Sequence, residues 1–315
     1  MAVGSRPLVP SRLAPGGVAH SSRRVPTSRI GGFIALTKPR IIELLLITTV
    51  PTMVLAEGGW PRTSLVLFTL LGGTLAAGGA NAINMVVDRD IDALMPRTQG
   101  RPLVTGLVGP REALVFALML EAVAFAVLWR WANLLSAVLA LSATLFYVFV
   151  YTMWLKRTST QNIVIGGAAG AVPVLVGWSA VQNNVTWSAV LLFVVMFLWT
   201  PPHFWALAIR YADDYRAANV PMLPAVASLE VTVTKMVRYT ALMVAGTIAL
   251  WPVAELGLLY GIAAVLLGAL FLWGTIDLGR NPTPARSMRV FGYSITYVTL
   301  LFGAMTADVL IRSPH

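Results

Sequence analysis

Cysteine is absent from this chain of 315 residues, and charged residues make up only 11% of it. The lack of cysteine excludes disulfides and metal sites held by thiolates. Hydrophobic residues account for 57% of the chain. Hydropathy this high over the whole length is typical of a polytopic membrane protein rather than of one soluble core.

Acidic residues are the scarcer charge, 13 against 23 Lys and Arg, which gives a net charge of +10. In a soluble protein this excess would suggest a nucleic-acid partner, but the distribution of the basic residues argues against one. With the N-terminus placed inside, only Arg62, Arg130 and Arg312 fall in outside segments, as the positive-inside rule requires. We therefore expect an N-in/C-out membrane topology and no nucleic-acid partner.

Long apolar runs occupy most of the chain after residue 40. Nine runs of spanning length can be drawn, at 41–56, 63–87, 113–129, 134–153, 162–181, 187–209, 237–253, 257–276 and 290–310. They predict an all-α fold of nine transmembrane helices, forming a single domain over 33–315.

The first 32 residues are rich in Arg, Ser, Pro and Gly, and no acidic residue precedes Glu43. A signal peptide is not predicted, because no apolar segment follows the charges. We interpret 1–32 as a flexible basic N-terminal tail of a bacterial inner-membrane protein. A transit peptide, and with it the mitochondrial inner membrane, is the alternative.

A first polar centre lies in 81–103, where the second predicted helix gives way to an Arg-rich loop. If that helix continues through Asp92, a rotation of about 100° per residue places Asn84, Asp88 and Asp92 on one face and Asp90 on the other. Carboxylates four residues apart repel each other unless a cation lies between them. Mg²⁺, which binds one or two carboxylates together with substrate phosphates, is our hypothesis, and a solvated acidic turn is the alternative.

A second polar centre lies at the inner end of the sixth predicted helix. Helical spacing places His203, Arg210 and Asp214 on one face, with His203 about 16 Å deeper than Asp214. Pro201 and Pro202 are expected to kink the helix or break its hydrogen bonding just before the histidine. His203 is therefore a candidate functional residue, with a hydrogen-bonded core histidine as the alternative.

Both acidic centres follow an even-numbered helix on the inside, so they could face each other across the bundle and hold two Mg²⁺ ions and one diphosphate. Such a site suits ionisation of an allylic diphosphate, with the prenyl tail in the apolar bundle below. Glu121, near the middle of the third helix, should face the bundle interior and have a partner that the sequence does not identify. Tyr147, Tyr151 and Trp154 form an aromatic stripe on the fourth helix, interpreted either as packing or as a wall facing a cation.

N-x-x-x-D-x-x-x-D at Asn84, Asp88 and Asp92 resembles the first motif of the UbiA superfamily of intramembrane prenyltransferases. D-R-D-I-D-A-L-M-P-R-T, T-P-P-H-F-W-A-L-A and D-D-Y-x-x-A-x-x-P-M-L-P are similar to the heme-modifying branch of that superfamily. The resemblance extends from Leu36 to the ninth helix. One departure is that the second D-x-x-x-D of many members is missing, because alanines follow four residues after Asp213 and Asp214.

The resemblance implies a UbiA-type helical bundle that transfers farnesyl from farnesyl diphosphate to the 2-vinyl group of heme B, with water added, to give heme O. It implies that Mg²⁺ and diphosphate are bound on the cytoplasmic side of the membrane by Asn84, Asp88, Asp92, Asp213 and Asp214. Candidates for binding diphosphate or the heme propionates are Lys38, Arg40, Arg97, Arg101, Lys156 and Arg210. His203 would face the heme, either as an axial ligand to iron or as a polar group near the vinyl. The lipid bilayer is an expected partner, and heme A synthase or cytochrome oxidase assembly proteins are further candidates.

Two other functions are considered. The first is the same chemistry on an aromatic acceptor, as in quinone biosynthesis, against which the T-P-P-H-F-W and D-D-Y segments argue. The second is a transporter that relays protons or ions through acidic and histidine residues. Both acidic centres lie near one membrane face, and only Glu121 and His203 are near the midplane, which argues against a transport path.

Overall fold

The computed structural model describes residues 26–313, with the side chains of 40–46 excepted. Every regular element in that part of the chain is helical. The elements are α1 (Arg29–Thr37), α2 (Pro39–Glu57), α3 (Thr63–Val87), α4 (Arg89–Leu94), α5 (Pro110–Trp131), α6 (Leu134–Leu145), the π-helix π1 (Phe146–Leu155), α7 (Lys156–Thr158), α8 (Asn162–Gln182), α9 (Trp187–Arg210), α10 (Ala212–Ala217), α11 (Leu223–Val226), α12 (Leu229–Val253), α13 (Leu258–Arg280) and α14 (Pro284–Arg312). The prediction of an all-α fold is confirmed.

Each predicted span corresponds to a helix, with α6, π1 and α7 forming one continuous span over 134–158. Within the described residues, eight helices are long and apolar enough to cross a bilayer, and α2 contributes a shorter apolar stretch, Ile47–Glu57. The count of nine spans and the N-in/C-out orientation stay predictions. Most of the predicted N-terminal tail, 1–25, lies outside the described residues, and α1 begins at Arg29.

Close packing of α3 on α5 depends on small residues. A Cβ at Gly72 would lie 2.6 Å from Cγ of Leu128, and a Cβ at Gly79 would lie 2.6 Å from Oε1 of Glu121, so larger residues are excluded at this contact. Glu121 is buried, and its Oε1 accepts a hydrogen bond of 3.1 Å from Thr144 Oγ1 on α6. The intramembrane carboxylate therefore faces the interior, as predicted, and its partner is Thr144.

The C-terminal half packs around large buried aromatic side chains on α13 and α14. The Tyr297 hydroxyl lies 2.8 Å from Thr247 Oγ1, and the Tyr260 hydroxyl donates to the Thr247 carbonyl at 2.9 Å. Asp308 on α14 accepts from the backbone N–H of Gly257 at 2.6 Å and of Tyr260 at 3.3 Å, and so caps the N-terminus of α13. These hydrogen bonds satisfy buried polar groups that lipid could not satisfy. They also hold α12, α13 and α14 together as the group of helices against which α9 packs.

The connecting segments that carry the two polar centres lie at the same end of the bundle. Ile91 and Met95, from the first centre, form one buried cluster with Ala218 and Val220, from the second, and Tyr215 packs against it. This apolar contact brings the loop after α4 next to the segment after α9. The fold thereby juxtaposes two motifs that are more than a hundred residues apart in sequence.

Candidate active site

The first centre is built at the end of α3, where Asp88 both ends that helix and precedes α4. Helical hydrogen bonding continues through it: the Asp88 N–H bonds to the Asn84 carbonyl at 2.9 Å, and the Asp92 N–H to the Asp88 carbonyl at 2.8 Å. Asn84, Asp88 and Asp92 are consequently all buried, whereas the Asp90 side chain is 60% exposed. This is the arrangement that the spacing predicts.

Cations from distant parts of the chain neutralise these carboxylates. Lys156 forms an ion pair with Oδ2 of Asp88, and Arg101 forms one with Oδ2 of Asp92. Asp90, which is exposed and lies apart from these two ion pairs, accepts two hydrogen bonds of 2.7 Å from Arg157. The helix-face argument considered only bases on the same helix and so missed these pairs, which supply much of the charge balance that it assigned to a metal.

The junction of α1 and α2 is tied to α3 by two asparagines. Asn81 Nδ2 donates to the Thr37 carbonyl at 3.2 Å, and Lys38 Nζ donates to Asn84 Oδ1 at 2.8 Å. Lys38 has the left-handed backbone conformation, with φ of 52°, which is uncommon for a residue with a side chain and is found where surrounding structure enforces it. The backbone conformation of the T-K-P-R turn therefore places the side-chain amino group of Lys38 against Asn84 in the first centre.

Burial and like charges perturb the ionisation of this cluster. Burial lowers the pKa of Lys38 from 10.5 to about 7, and the positive charges of Arg101 and Lys156 act in the same direction. Burial also raises the pKa of Asp92, while Arg101 opposes the rise. Three basic groups thus share a buried volume with two carboxylates, which leaves this site suited to an anion with several negative charges.

The second centre separates its two aspartates. The Asp214 side chain is 20% exposed, and its Oδ2 lies 3.7 Å from Nε of Arg97 in the loop of the first centre. The Arg97 guanidinium also lies over the rings of Tyr215, 5.1 Å from the centroid, and Tyr211, at 5.7 Å. Asp213 faces away, with a side chain 95% exposed, so Asp214 is the aspartate that the structure brings to the first centre through Arg97.

Two residues predicted to bind diphosphate or propionate, Arg40 and Arg210, make no contact with the site carboxylates among the described residues. Arg210 is exposed at the end of α9 and lies 5.9 Å from the ring centroid of Tyr211. Arg40 lies in the first turn of α2, but its side chain is outside the described residues. The roles proposed for Arg40 and Arg210 therefore stay predictions.

His203 is buried between α9 and α14. Its ring stacks on Trp199, at 4.2 Å between centroids, and on Phe291, at 4.6 Å. The prolines predicted to interrupt α9 just before it do not end that helix, which runs through to Arg210.

Ser294 on α14 fixes the tautomer of this histidine. Its Oγ lies 2.6 Å from His203 Nδ1 and donates at 2.6 Å to the Phe291 carbonyl. Because that carbonyl only accepts and the hydroxyl has a single proton, we assign the proton of the other bond to Nδ1. Nε2 then keeps its lone pair. Sequence reasoning missed Ser294, since an ordinary helical serine 91 residues away carries no motif.

The fourth predicted helix differs from the expected aromatic stripe. Tyr147 and Tyr151 stack on each other, with centroids 5.3 Å apart, but Trp154 is 61% exposed and points away from them. The cause is the π-helix π1, whose wider turn changes which residues share a face. Thr152, which sequence reasoning also missed, is fully buried and accepts a hydrogen bond of 3.1 Å from Asn84 Nδ2.

Three carboxylate oxygens of the site are suited to a divalent cation. Oδ1 of Asp88, Oδ1 of Asp92 and Oδ2 of Asp214 are buried and make no hydrogen bond in the described part of the chain, and a buried acceptor without a hydrogen bond is costly. Arg157 and Arg97 lie 3.9 Å and 3.7 Å from the Asp88 and Asp214 oxygens, beyond hydrogen-bond distance. Across the same residues, no three His, Asp or Glu side chains converge closely enough to hold a metal by themselves. Mg²⁺ does not require three, because substrate phosphates complete its ligand shell.

Comparison of the sequence with protein-family profiles identifies the family to which this chain belongs. A profile of the UbiA prenyltransferase family matches residues 45–302. The chain belongs to the UbiA prenyltransferase family. It is therefore an enzyme of the prenyltransferase class and a multi-pass membrane protein, and the transporter hypothesis is overturned.

Bacterial relatives are similar over nearly the whole chain of this prenyltransferase. The protoheme IX farnesyltransferase of Streptomyces avermitilis is 52% identical over 292 residues, covering 90% of this chain and 95% of the relative. That of Parafrankia sp. is 54% identical over 291 residues, covering 90% and 92%. Because these relatives come from bacteria, we place this protein in a bacterial membrane.

Solved structures share the fold at low sequence identity. A structure of digeranylgeranylglyceryl phosphate synthase gives a TM-score of 0.74 at 16% identity, covering 90% of this chain and 99% of that one. A UbiA homolog from Archaeoglobus fulgidus, bound to DMAPP and Mg²⁺, gives 0.69 at 18% identity, covering 90% and 100%. The predicted UbiA-type bundle is confirmed.

Proposed function

We propose that this enzyme transfers the farnesyl group of farnesyl diphosphate, with addition of water, to the 2-vinyl group of protoheme IX (heme B), giving heme O. The observation that carries the proposal is the similarity, above 50% identity over nine-tenths of the chain, to relatives named protoheme IX farnesyltransferase. The buried cluster of bases around Asn84, Asp88 and Asp92 supports the diphosphate half of the reaction.

The diphosphate would bind among Lys38, Arg101 and Lys156, whose positive charges converge on the first centre. Asp88, Asp92 and Asp214 would supply ligands to Mg²⁺ through the oxygens that make no hydrogen bond, together with oxygens of the diphosphate, and Asn84 would hold Asp88 in place. We favour Asp214 over Asp213 because Asp213 faces away. When bound, Mg²⁺ supplies charge neutralisation of the leaving diphosphate. The related fold solved with DMAPP and Mg²⁺ supports this use of a metal.

In the chemical step, the carbon–oxygen bond of the allylic diphosphate breaks and the diphosphate keeps the electron pair. The π electrons of the heme vinyl form the new carbon–carbon bond to the farnesyl carbon. Water then adds to the resulting cation beside the porphyrin and loses a proton. Lys38, Arg101 and Lys156 would hold the departing diphosphate. The stacked rings of Tyr147 and Tyr151, on the π-helix that ends just before Lys156, would stabilise the allylic cation.

On the heme side, we assign His203 as the residue that contacts iron. Its Nε2 lone pair is available because Ser294 holds the proton on Nδ1, and a neutral imidazole nitrogen is a common ligand of heme iron. Arg40 and Arg210, near the inner ends of α2 and α9, are candidates for the propionates. Delivery of the product to heme A synthase or to an oxidase-assembly protein stays a prediction, as does the cytoplasmic location of the site.

The proposal is tested by following pyrophosphate release from farnesyl diphosphate by the purified enzyme. Heme B and an aromatic quinone precursor are compared as acceptors, each with Mg²⁺ and with chelator. We expect release that requires heme B and stops with chelator. Release that requires the aromatic compound instead would overturn the acceptor assignment, and release unaffected by chelator would overturn the metal assignment.

A further inference from the structure

The ten-residue π-helix π1 lies directly beside the first centre. Its wide turn is shown at its end, where the Lys156 N–H bonds to the Tyr151 carbonyl five residues earlier. π-helical turns are rare, and they occur frequently at functional sites. The helix contributes Thr152 and is followed at once by Lys156, both of which contact the metal-binding motif.

The π register decides which side chains of this helix face the site. In an α-helix, Tyr147, Tyr151, Thr152 and Lys156 would spread over about 180°. With about 4.4 residues per turn, the same four residues fall within an arc of about 80°. The exposures agree, since Thr152 is fully buried, whereas Trp154, which this register places opposite Tyr147, is 61% exposed. An α-helical register would not present the tyrosines, Thr152 and Lys156 to the site together.

Thr152 sits in the middle of a hydrogen-bond chain with a single direction. Its hydroxyl donates to the Tyr147 carbonyl at 2.8 Å, so its oxygen is left to accept from Asn84 Nδ2 at 3.1 Å. The same amide nitrogen donates to Oδ2 of Asp88 at 2.7 Å. Asn84 Oδ1 is thereby turned the other way, where it accepts from Lys38 Nζ at 2.8 Å.

We propose that Thr152, placed by the π-helix, is a positioning residue of the metal–diphosphate site, because it fixes the orientation of the Asn84 amide. With both protons of Nδ2 engaged, the amide holds Oδ2 of Asp88 and leaves Oδ1 of Asp88 without a hydrogen bond and able to bind a cation. Asn84 Oδ1 is directed to the side from which Lys38 approaches. This inference rests on the proposed function only in taking the first centre as a metal–diphosphate site.

Removal of the Thr152 hydroxyl would leave one amide proton of Asn84 without a buried acceptor. The amide would then be held only through Oδ2 of Asp88 and Nζ of Lys38, so its plane would be less firmly fixed and the Asp88 carboxylate that it holds would be less precisely placed. Valine has the shape of threonine without the hydrogen bond, so Thr152→Val removes the orientation and keeps the packing. Serine keeps the hydroxyl, so Thr152→Ser should restore the orientation. Thr240→Val is a matched control, because Thr240 is also fully buried on a membrane helix but its hydroxyl makes no hydrogen bond within the described residues.

The experiment measures Mn²⁺ binding by electron paramagnetic resonance in the presence of inorganic pyrophosphate, with no prenyl or heme substrate. We expect Thr152→Val to weaken Mn²⁺ binding about tenfold or more, as loss of a group that orients a metal ligand typically does. Thr152→Ser should stay within about threefold of wild type and Thr240→Val should not differ from it, with melting temperatures close to wild type for all three variants.

Mn²⁺ affinity of Thr152→Val equal to that of wild type would overturn the proposal, as would equal losses in Thr152→Val and Thr152→Ser. Failure of the wild-type enzyme to bind Mn²⁺ and pyrophosphate would overturn it together with the proposed metal site. Normal wild-type binding, with the expected loss in Thr152→Val, would support it even if heme B proved not to be the acceptor.

Discussion

Replacement of Asp88 by asparagine tests the first centre most sharply, since it removes one charge with almost no change in shape. Asp88 is fully buried, and its partner Lys156 has a side chain only 12% exposed. Loss of one member of a buried ion pair typically destabilises a protein by about 3–5 kcal/mol, because the other charge is left uncompensated. Arg157, 3.9 Å from the other oxygen of Asp88, adds to the uncompensated positive charge.

The variant should therefore unfold at a lower temperature and lose turnover by a factor of about 10²–10³ or more, the effect of removing one preorganised electrostatic group. Asp90→Asn is the matched control. Asp90 lies two residues away, has an exposed side chain and pairs with Arg157, so its replacement should leave turnover within about threefold of wild type. Turnover is measured as pyrophosphate release, and stability as thermal unfolding in detergent.

A double variant separates the two effects. In Asp88→Asn with Lys156→Met, the uncompensated charge of the closer and more buried partner, Lys156, is gone, so most of the lost stability should return. Turnover should not return, because the carboxylate proposed to bind Mg²⁺ is still missing and Lys156, proposed to bind the diphosphate, is lost as well. Near wild-type turnover in either variant would refute the assignment of Asp88, and a double variant as unstable as the single one would refute the assigned role of the ion pair.

Three further predictions follow from other contacts. Ser294→Ala should weaken heme binding about tenfold, measured by optical titration, because the tautomer of His203 is no longer fixed. Ser294→Thr keeps the hydroxyl and should bind heme as the wild type does. Unchanged binding in Ser294→Ala would contradict the tautomer argument. Since Lys38 has a pKa of about 7 and diphosphate favours its charged form, affinity for pyrophosphate should fall as pH rises above that value. Lys38→Arg should flatten this dependence between pH 6 and 9, and an identical pH profile in that variant would exclude Lys38 as its source. Glu121→Ala should lower the free energy of unfolding by about 1–3 kcal/mol, because the hydrogen bond to Thr144 is lost. Turnover per folded molecule should not change. Reduced turnover would contradict this prediction and give Glu121 a role in the site.

Regular periodicity explains what could be predicted from the sequence. The apolar runs located the membrane helices, and the four-residue spacing of Asn84, Asp88 and Asp92 placed them on one buried face. Both inferences use only local geometry, which the tertiary structure preserves. Arg97 and Arg101 in the Arg-rich loop were candidates through the family resemblance instead, and their individual partners were not assigned.

Long-range contacts and irregular backbone explain what could not be predicted. Lys156 meets Asp88 across 68 residues, and Ser294 meets His203 across 91, so no local pattern signals either pair. The π-helix changes the face on which Thr152 and its neighbours lie, and an α-helical period places them elsewhere. Asp213 and Asp214 are adjacent and chemically identical, and only the backbone turn after α9 shows which of them faces Arg97.

Mass spectrometry of the porphyrin after incubation of the purified enzyme with heme B, farnesyl diphosphate and Mg²⁺ tests the central claim most directly. We expect a product heavier than heme B by one farnesyl group and one water, absent when a chelator is added and absent in Asp88→Asn. Unmodified heme B, in an enzyme that releases pyrophosphate with another acceptor, would contradict the claim.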